Sequence, residues 1–198
     1  MRVLVACEFS GRVRDAFIAR GHDAISCDLL DTESVGPHYK GDVLDIINDG
    51  WDLMIAHPPC TYITNAGVRH LHSVPSRNGV LAKIHGINRW NEMYKACDFF
   101  NLLKNANIDK ICIENPVPHK YARNLIGMYS QIIQPWQFGH GETKKTCLWL
   151  KNLPPLVPTN IVSGRAPKAH MTPGNKNQGK LRSITYQGIA DAMAAQWG

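Results

Sequence analysis

Two short motifs carry residue types that chemistry needs more than packing does. Cys60 follows Pro58 and Pro59, so its thiol sits on a stiff backbone where a nucleophile can be held facing a cleft. A free thiol titrates near 8.5, and Cys60 would need an electropositive or hydrogen-bonding neighbour to react close to neutrality. Taken alone, Pro-Pro-Cys favours a structural thiol. Glu114 changes that reading, because it comes straight after an apolar run and before Asn115 and Pro116. A carboxylic acid there is poorly suited to a core and well suited to giving up a proton in a cleft. Thiol and acid at neighbouring strand ends are the pair required for covalent addition to an electron-poor ring. Asn115, between the acid and Pro116, orients Glu114 or caps the turn before Pro116.

The elements that must position this pair alternate along the chain. Residues 1–7 form a short β-branched apolar strand, and Val13, Phe17 and Ile18 then fall at helical spacing up to Gly21. Strands follow at 23–29, 52–56, 110–113, 131–134 and 146–150, with an apolar piece of undecided type at 43–47. An amphipathic helix over 89–104 puts Trp90, Met93, Tyr94, Cys97 and Phe100 on one face, and a short helix covers 121–126. Alternation of this kind predicts an α/β fold, a doubly wound and mostly parallel sheet with helices on both faces. Such sheets bind ligands at the carboxyl ends of their strands. Glu8-Phe9-Ser10-Gly11, Asp28, Pro58-Pro59-Cys60 and Glu114-Asn115-Pro116 all fall there.

The 198 residues make a single domain. Their 44% apolar content and five Trp suffice for a continuous core and exclude a disordered or fibrous chain. No apolar run approaches a membrane span, and the first lacks the flanks of a secretory signal, so a soluble, cytoplasmic protein without membrane attachment is expected. Six Cys without a Cys-x-x-Cys pair read as reduced thiols. Residues 69–85 contain three His without a companion ligand cluster; they read as a mobile loop over the site, and no metal is expected. Residues 153–185 are rich in Pro, Gly and Asn and read as an arm with little core of its own. Ile189, Met193 and Trp197 then return the chain to the core as a helix within 186–198. The net charge is +6, and residues 143–190 hold Lys144, Lys145, Lys151, Arg165, Lys168, Lys176, Lys180 and Arg182 without a single Asp or Glu. A basic quarter on a near-neutral body suits a polyanion partner, or simply a solvated face.

Taken together, these motifs resemble the cytosine-C5 DNA methyltransferase family. Val5-Ala6-Cys7-Glu8-Phe9-Ser10-Gly11 is similar to the family's first motif, which binds S-adenosylmethionine. Asp28 matches the acid on the cofactor ribose, and Gly41-Asp42-Val43 the motif whose acid meets the adenine. Pro58-Pro59-Cys60 matches the nucleophile motif and Glu114-Asn115-Pro116 the Glu-Asn-Val motif, while Gly188-Ile189-Ala190 is similar to the closing motif. The resemblance spans residues 1–150 and 186–197. Three departures stand out. His57 and Thr61 replace the small residue and the Gln that usually flank Pro-Pro-Cys. Glu142-Thr143-Lys144-Lys145-Thr146 replaces Gln-x-Arg-x-Arg, without the bidentate fork of Arg. The target-recognition domain is reduced to residues 153–185.

The resemblance implies a Rossmann-like S-adenosylmethionine-dependent methyltransferase fold. It implies Glu8, Phe9, Ser10, Gly11, Asp28, Asp42 and Pro58 around the cofactor, and Cys60 and Glu114 as catalytic residues. Asn115, Lys144, Lys145, Arg165, Lys176, Lys180 and Arg182 would face DNA, with phosphate contact favoured over base readout. The Cys60 thiolate would attack C6 of a cytosine flipped from the stack while Glu114 hydrogen-bonds or protonates N3. C5 would then take the methyl group. A free cytosine nucleotide, another nucleic acid, or a protein partner that supplies specificity is compatible with the reduced recognition region. Amino methylation is disfavoured by Cys60, where the amino-methyltransferases have an aromatic residue. A non-catalytic binding protein on the same fold remains the other class.

Overall fold

Alternation along buried strands sets up two cores, one on each face of a sheet. The computed structural model describes residues 1–72, 79–167 and 182–198. The described residues form seven strands: β1 (Arg2–Ala6), β2 (Asp23–Asp28), β3 (His38–Lys40), β4 (Leu53–Ala56), β5 (Lys110–Pro116), β6 (Gln131–Ile133) and β7 (Thr146–Lys151). Their order in the sheet is β3-β2-β1-β4-β5-β7-β6. The first five are mutually parallel, and β7 runs antiparallel to both β5 and β6.

Because side chains alternate between faces, Leu4, Ala6, Met54, Ala56, Ile111 and Ile113 enter one core. There they meet Met93, Cys97, Phe100 and Leu103 of α2 (Gly79–Lys104) and Ala122 and Ile126 of α3 (Lys120–Ile126). Val3, Val5, Leu53, Ile55, Cys112 and Leu148 enter the other, under α1 (Arg12–Ile18) and α4 (Gln187–Trp197). Phe17, Ile189, Met193 and Trp197 are buried there, so the chain's end packs beside its first helix. The doubly wound α/β sheet expected from the sequence is thus present. No helix among the described residues is long and apolar enough to cross a membrane. All six Cys are free thiols, four of them buried, with Cys7 and Cys60 half-buried.

Several local expectations are corrected. The strand His38–Lys40 was not foreseen; it is short and lies at the sheet edge beside β2. The undecided piece 43–47 contains a 3-10 turn, Val43–Asp45, begun by the Asp42 carboxylate accepting the Leu44 amide. Residues 69–85 are not one open loop, since a 3-10 segment covers Asn65–Leu71 and α2 already starts at Gly79. Tyr94 leaves the apolar face of α2 and is 47% exposed, whereas Met93, Cys97 and Phe100 are buried. The described part of the supposed arm is docked. Residues 153–167 run along 136–143, with Gly139 donating to Asn160 O, Val162 to Trp136 O and Ala166 to Gly141 O, and with Leu156 buried.

The turn from β1 into α1 is held by a buried carboxylate. Glu8, 4% exposed, accepts the amides of Val13 (2.8 Å) and Arg14 (3.3 Å) and the Ser10 hydroxyl (3.1 Å). It satisfies the orphan donors of the first helical turn, while Gly11 supplies the left-handed backbone, φ 74°, that starts the helix. Arg14 is wholly buried and ties α1 to Ser26 of β2 and to Thr32, Ser34 and Pro37 of the loop beyond it. Replacing Glu8 by Ala removes the helix-capping acceptor and is expected to lower stability by about 1–2 kcal/mol, measured by urea unfolding with an unchanged denaturant slope. Wild-type stability in that variant would show that the cap contributes nothing.

Candidate active site

Register places the central contact of the site. Ala56 of β4 pairs with Ile113 of β5, and one step further along both strands stand His57 and Glu114. Continuing the alternation, both point to the α1/α4 face, and His57 Nδ1 lies 2.8 Å from Glu114 Oε2. The two side chains are 7% and 11% exposed. The neighbouring Asn115, on the opposite face, donates its amide to Pro58 O at 2.7 Å. Glu114 and Asn115 belong to β5 itself, not to a turn beyond it. Where β4 ends, β7 continues the pairing, matching Glu114 to Leu148 and Asn115 to Cys147.

The loop that bears Cys60 is bonded at each step. The Cys60 carbonyl accepts the amides of Ile63 and Thr64, closing a turn. Buried His119 donates its backbone amide to Ile63 O and bonds Tyr62 O through Nε2, while its Nδ1 caps α3 at Ala122. Arg89 of α2 donates to Thr61 O and stacks on Tyr62. A nucleophile on such a loop is preorganised, which is how positioning lowers a barrier.

Burial pushes the Cys60 thiol up, as does the charge of Glu114, while a backbone hydrogen bond and Lys144 pull it down. The resting thiol is therefore protonated at neutral pH. For Glu114, burial acts upward, but the His57 hydrogen bond and charge, Lys144 and the Thr146 hydroxyl outweigh it, so its carboxyl is held below its ordinary value. Thiol and acid act on one another's charge, with their resting protonation states reversed from what addition requires. Beside Glu114, a small pocket is closed by Lys144, Thr146, Thr185, Tyr186 and Ile189.

Among the described residues, two buried polar atoms here have no hydrogen-bond partner, His57 Nε2 and Asn115 Oδ1. Thr146 and Tyr186 belong to the site and were not singled out in the sequence. Tyr186 donates its hydroxyl to Glu142, and the similarity of the residues after it to a closing motif was the available signal. His57 was visible only as a departure from the Pro-Pro-Cys pattern.

The remaining candidates fall in three groups. Asp28 and Asp42 converge with Cys7 at the ends of β1 and β2, where burial foremost and then their charges raise the Cys7 thiol. Each keeps a carboxylate oxygen beyond the one that accepts Leu30 N or Leu44 N. These acceptors fit the hydroxyls of a ribose diol and an exocyclic amine, which donate. Phe9 and Ser10 are buried in the turn, and Gly11 faces Arg14 and Ser34, so a side chain there would strike them. Pro58 is buried and offers its carbonyl to Asn115. Of the basic candidates, Lys144 reaches Arg182 O at 2.7 Å and lies over the Tyr186 ring. Lys145 and Arg182 are exposed. Arg165 stacks on Trp136 at 3.8 Å and bonds Val162 O and Gly164 O, bracing the docked segment. Lys176 and Lys180 lie outside the described residues.

No family model matches the chain, and no curated protein matches it by sequence. A solved structure that resembles it is described as a candidate DNA modification methyltransferase encoded within an E. coli prophage. It is 16% identical, with a TM-score of 0.49, over 82% of this chain and 52% of that one. The chain spans about half the length of that neighbour. Strand order and the antiparallel β7 define the fold on their own: a doubly wound, mostly parallel α/β sheet of Rossmann-like type.

The lowered carboxyl of Glu114 has a consequence for acid stability. Between its folded value and its ordinary value of 4.5, the unfolded chain binds more protons, so stability rises with pH there. The contribution is complete above 4.5 and is lost as pH falls through the folded value. Glu114→Gln is expected to flatten the stability–pH curve in that acidic window, measured by urea unfolding at stepped pH. An unchanged slope would assign the acid sensitivity to other carboxylates.

Proposed function

We propose that this chain is a DNA methyltransferase that transfers a methyl group from S-adenosylmethionine to C5 of cytosine through a covalent Cys60 adduct. The observation that carries the reading is the double tie between the nucleophile loop and the acid strand, His57 to Glu114 and Pro58 O to Asn115. Asp28 and Asp42 would hold the cofactor, which supplies an electrophilic methyl group when bound. Gly11 supplies the left-handed backbone of the turn beside it.

Cys60 loses its proton and its sulfur attacks C6 of the cytosine. The C5–C6 electron pair moves toward C5, and the charge spread into the ring is met at N3 by Glu114. After methylation C5 loses its proton, and the Cys60–C6 bond breaks to restore the thiolate. Lys144 lies close enough to lower the Cys60 thiol and so favours the attacking form. The docking of residues 153–167 on the body leaves little chain for groove reading. That favours contact with phosphates through exposed Lys145 and Arg182 over base-edge specificity. It also keeps a free cytosine nucleotide as a second acceptor.

Cys60→Ser is expected to abolish methyl transfer while retaining cofactor affinity, read by mass spectrometry of nucleosides and by calorimetry. Wild-type turnover in that variant would move the chemistry to amino methylation or to another thiol. Calorimetry should also show S-adenosylmethionine binding that Asp28→Ala weakens. A folded protein that gives no heat with the cofactor would remove the methyltransferase reading.

A further inference from the structure

Any acid that protonates N3 must hold a proton when the base arrives, and Glu114 does not. With His57, Lys144 and Thr146 around it, its carboxyl is ionised and can only accept. A buried carboxyl without such partners keeps its own proton. The bond between the two side chains, 2.8 Å from Nδ1 to Oε2, therefore carries its hydrogen on the imidazole. His57 is 93% buried by the 7% exposure of its side chain, and its Nε2 finds no acceptor or donor among the described residues. An orphaned buried nitrogen is costly, a poor arrangement for a residue that only fills space.

We propose that His57 is the proton store of the site, a positioning residue that holds the acid proton on its imidazolium and passes it to N3 through Glu114. This rests on the cytosine reading above. As the Cys60 sulfur–C6 bond forms, the Nδ1 proton moves to the Glu114 carboxyl and a carboxyl proton moves to N3, leaving His57 neutral with hydrogen on Nε2. When the C5 proton has left to solvent and the Cys60–C6 bond breaks, the N3 proton returns by the same path. The Cys60 thiol proton leaves to solvent before attack and the methyl group on C5 comes from S-adenosylmethionine, so the steps balance without a further reagent. The groups that face the pair are Lys144 ahead of β7, Tyr186 at the head of α4, and the thiols of Cys60, Cys112 and Cys147. Burial and the bond to Glu142 push the Tyr186 hydroxyl well up, so it stays protonated and an imidazole limb would remain distinct.

The step requires the cationic imidazole, so it must weaken as rising pH removes that proton, while thiolate formation at Cys60 strengthens. The test is the rate of adduct formation on a 5-fluorocytosine oligonucleotide with S-adenosylmethionine, followed against pH for wild type, His57→Gln and His57→Asn. The wild type should give a bell. Both variants should lose the limb that falls with rising pH and drop about 10²-fold at the optimum, with cofactor affinity unchanged by calorimetry. Two polar variants guard against one that fails to fold, checked by thermal melting. Variant profiles that superimpose on the wild type after scaling would overturn the proposal and leave the cytosine reading standing. Absence of any wild-type adduct would overturn both.

Discussion

The register of β4 on β5 is the constraint from which the site follows. Pairing ends at Ala56 and Ile113, and the next residues in each strand meet side by side because alternation sends both to one face. That contact turns His57 toward Glu114 and leaves the chain to turn at Pro58 and Pro59. A slip of one residue in either strand would send its side chain to the other face, separating the pair and taking the Asn115–Pro58 bond with it. The antiparallel β7 lets β5 run on after β4 has stopped, so Glu114 is carried on a paired strand while Cys60 sits on a loop. Rigidity on one side and a tethered turn on the other bring two dissimilar groups to a common place.

Buried polar groups do most of the tethering. Glu8 holds the head of α1, Arg14 gathers the loop after β2, and His119 joins the Cys60 loop to α3. Each is a group that would be costly to bury alone and is bonded on several atoms. Loops fixed in this way depend on specific partners more than on apolar area, so single substitutions in them act locally.

Much of the frame was legible in the sequence because it rests on periodicity. Val3 to Ala6, Leu53 to Ala56 and Ile111 to Ile113 are continuous apolar runs of strand length, and Ile189, Met193 and Trp197 keep a helical step. His38–Lys40 was illegible since three polar and aromatic residues at a sheet edge need no apolar pattern. Cys60 and Glu114 were legible as types out of keeping with a core. The electrostatic state of the pair was not, for it depends on His57 and Lys144 approaching from parts of the chain 57 and 30 residues distant. Composition suggested an arm with little core of its own at 153–185, and among residues 153–167 Leu156 alone is buried; the backbone bonds to 136–143 that dock this stretch leave no trace in side-chain pattern.

The carboxylate at the head of α1 also decides what the sheet edge will refuse. In doubly wound folds the amides of a first helix commonly receive a phosphate. Here the Val13 and Arg14 amides already face Glu8, and a second anion would meet its charge at close range. Asp28 and Asp42 add two more negative groups along the same edge. A dinucleotide, with its pyrophosphate, is thereby turned away from the turn that would otherwise cradle it, and the edge is left selective for ligands that bring hydroxyls, amines or positive charge.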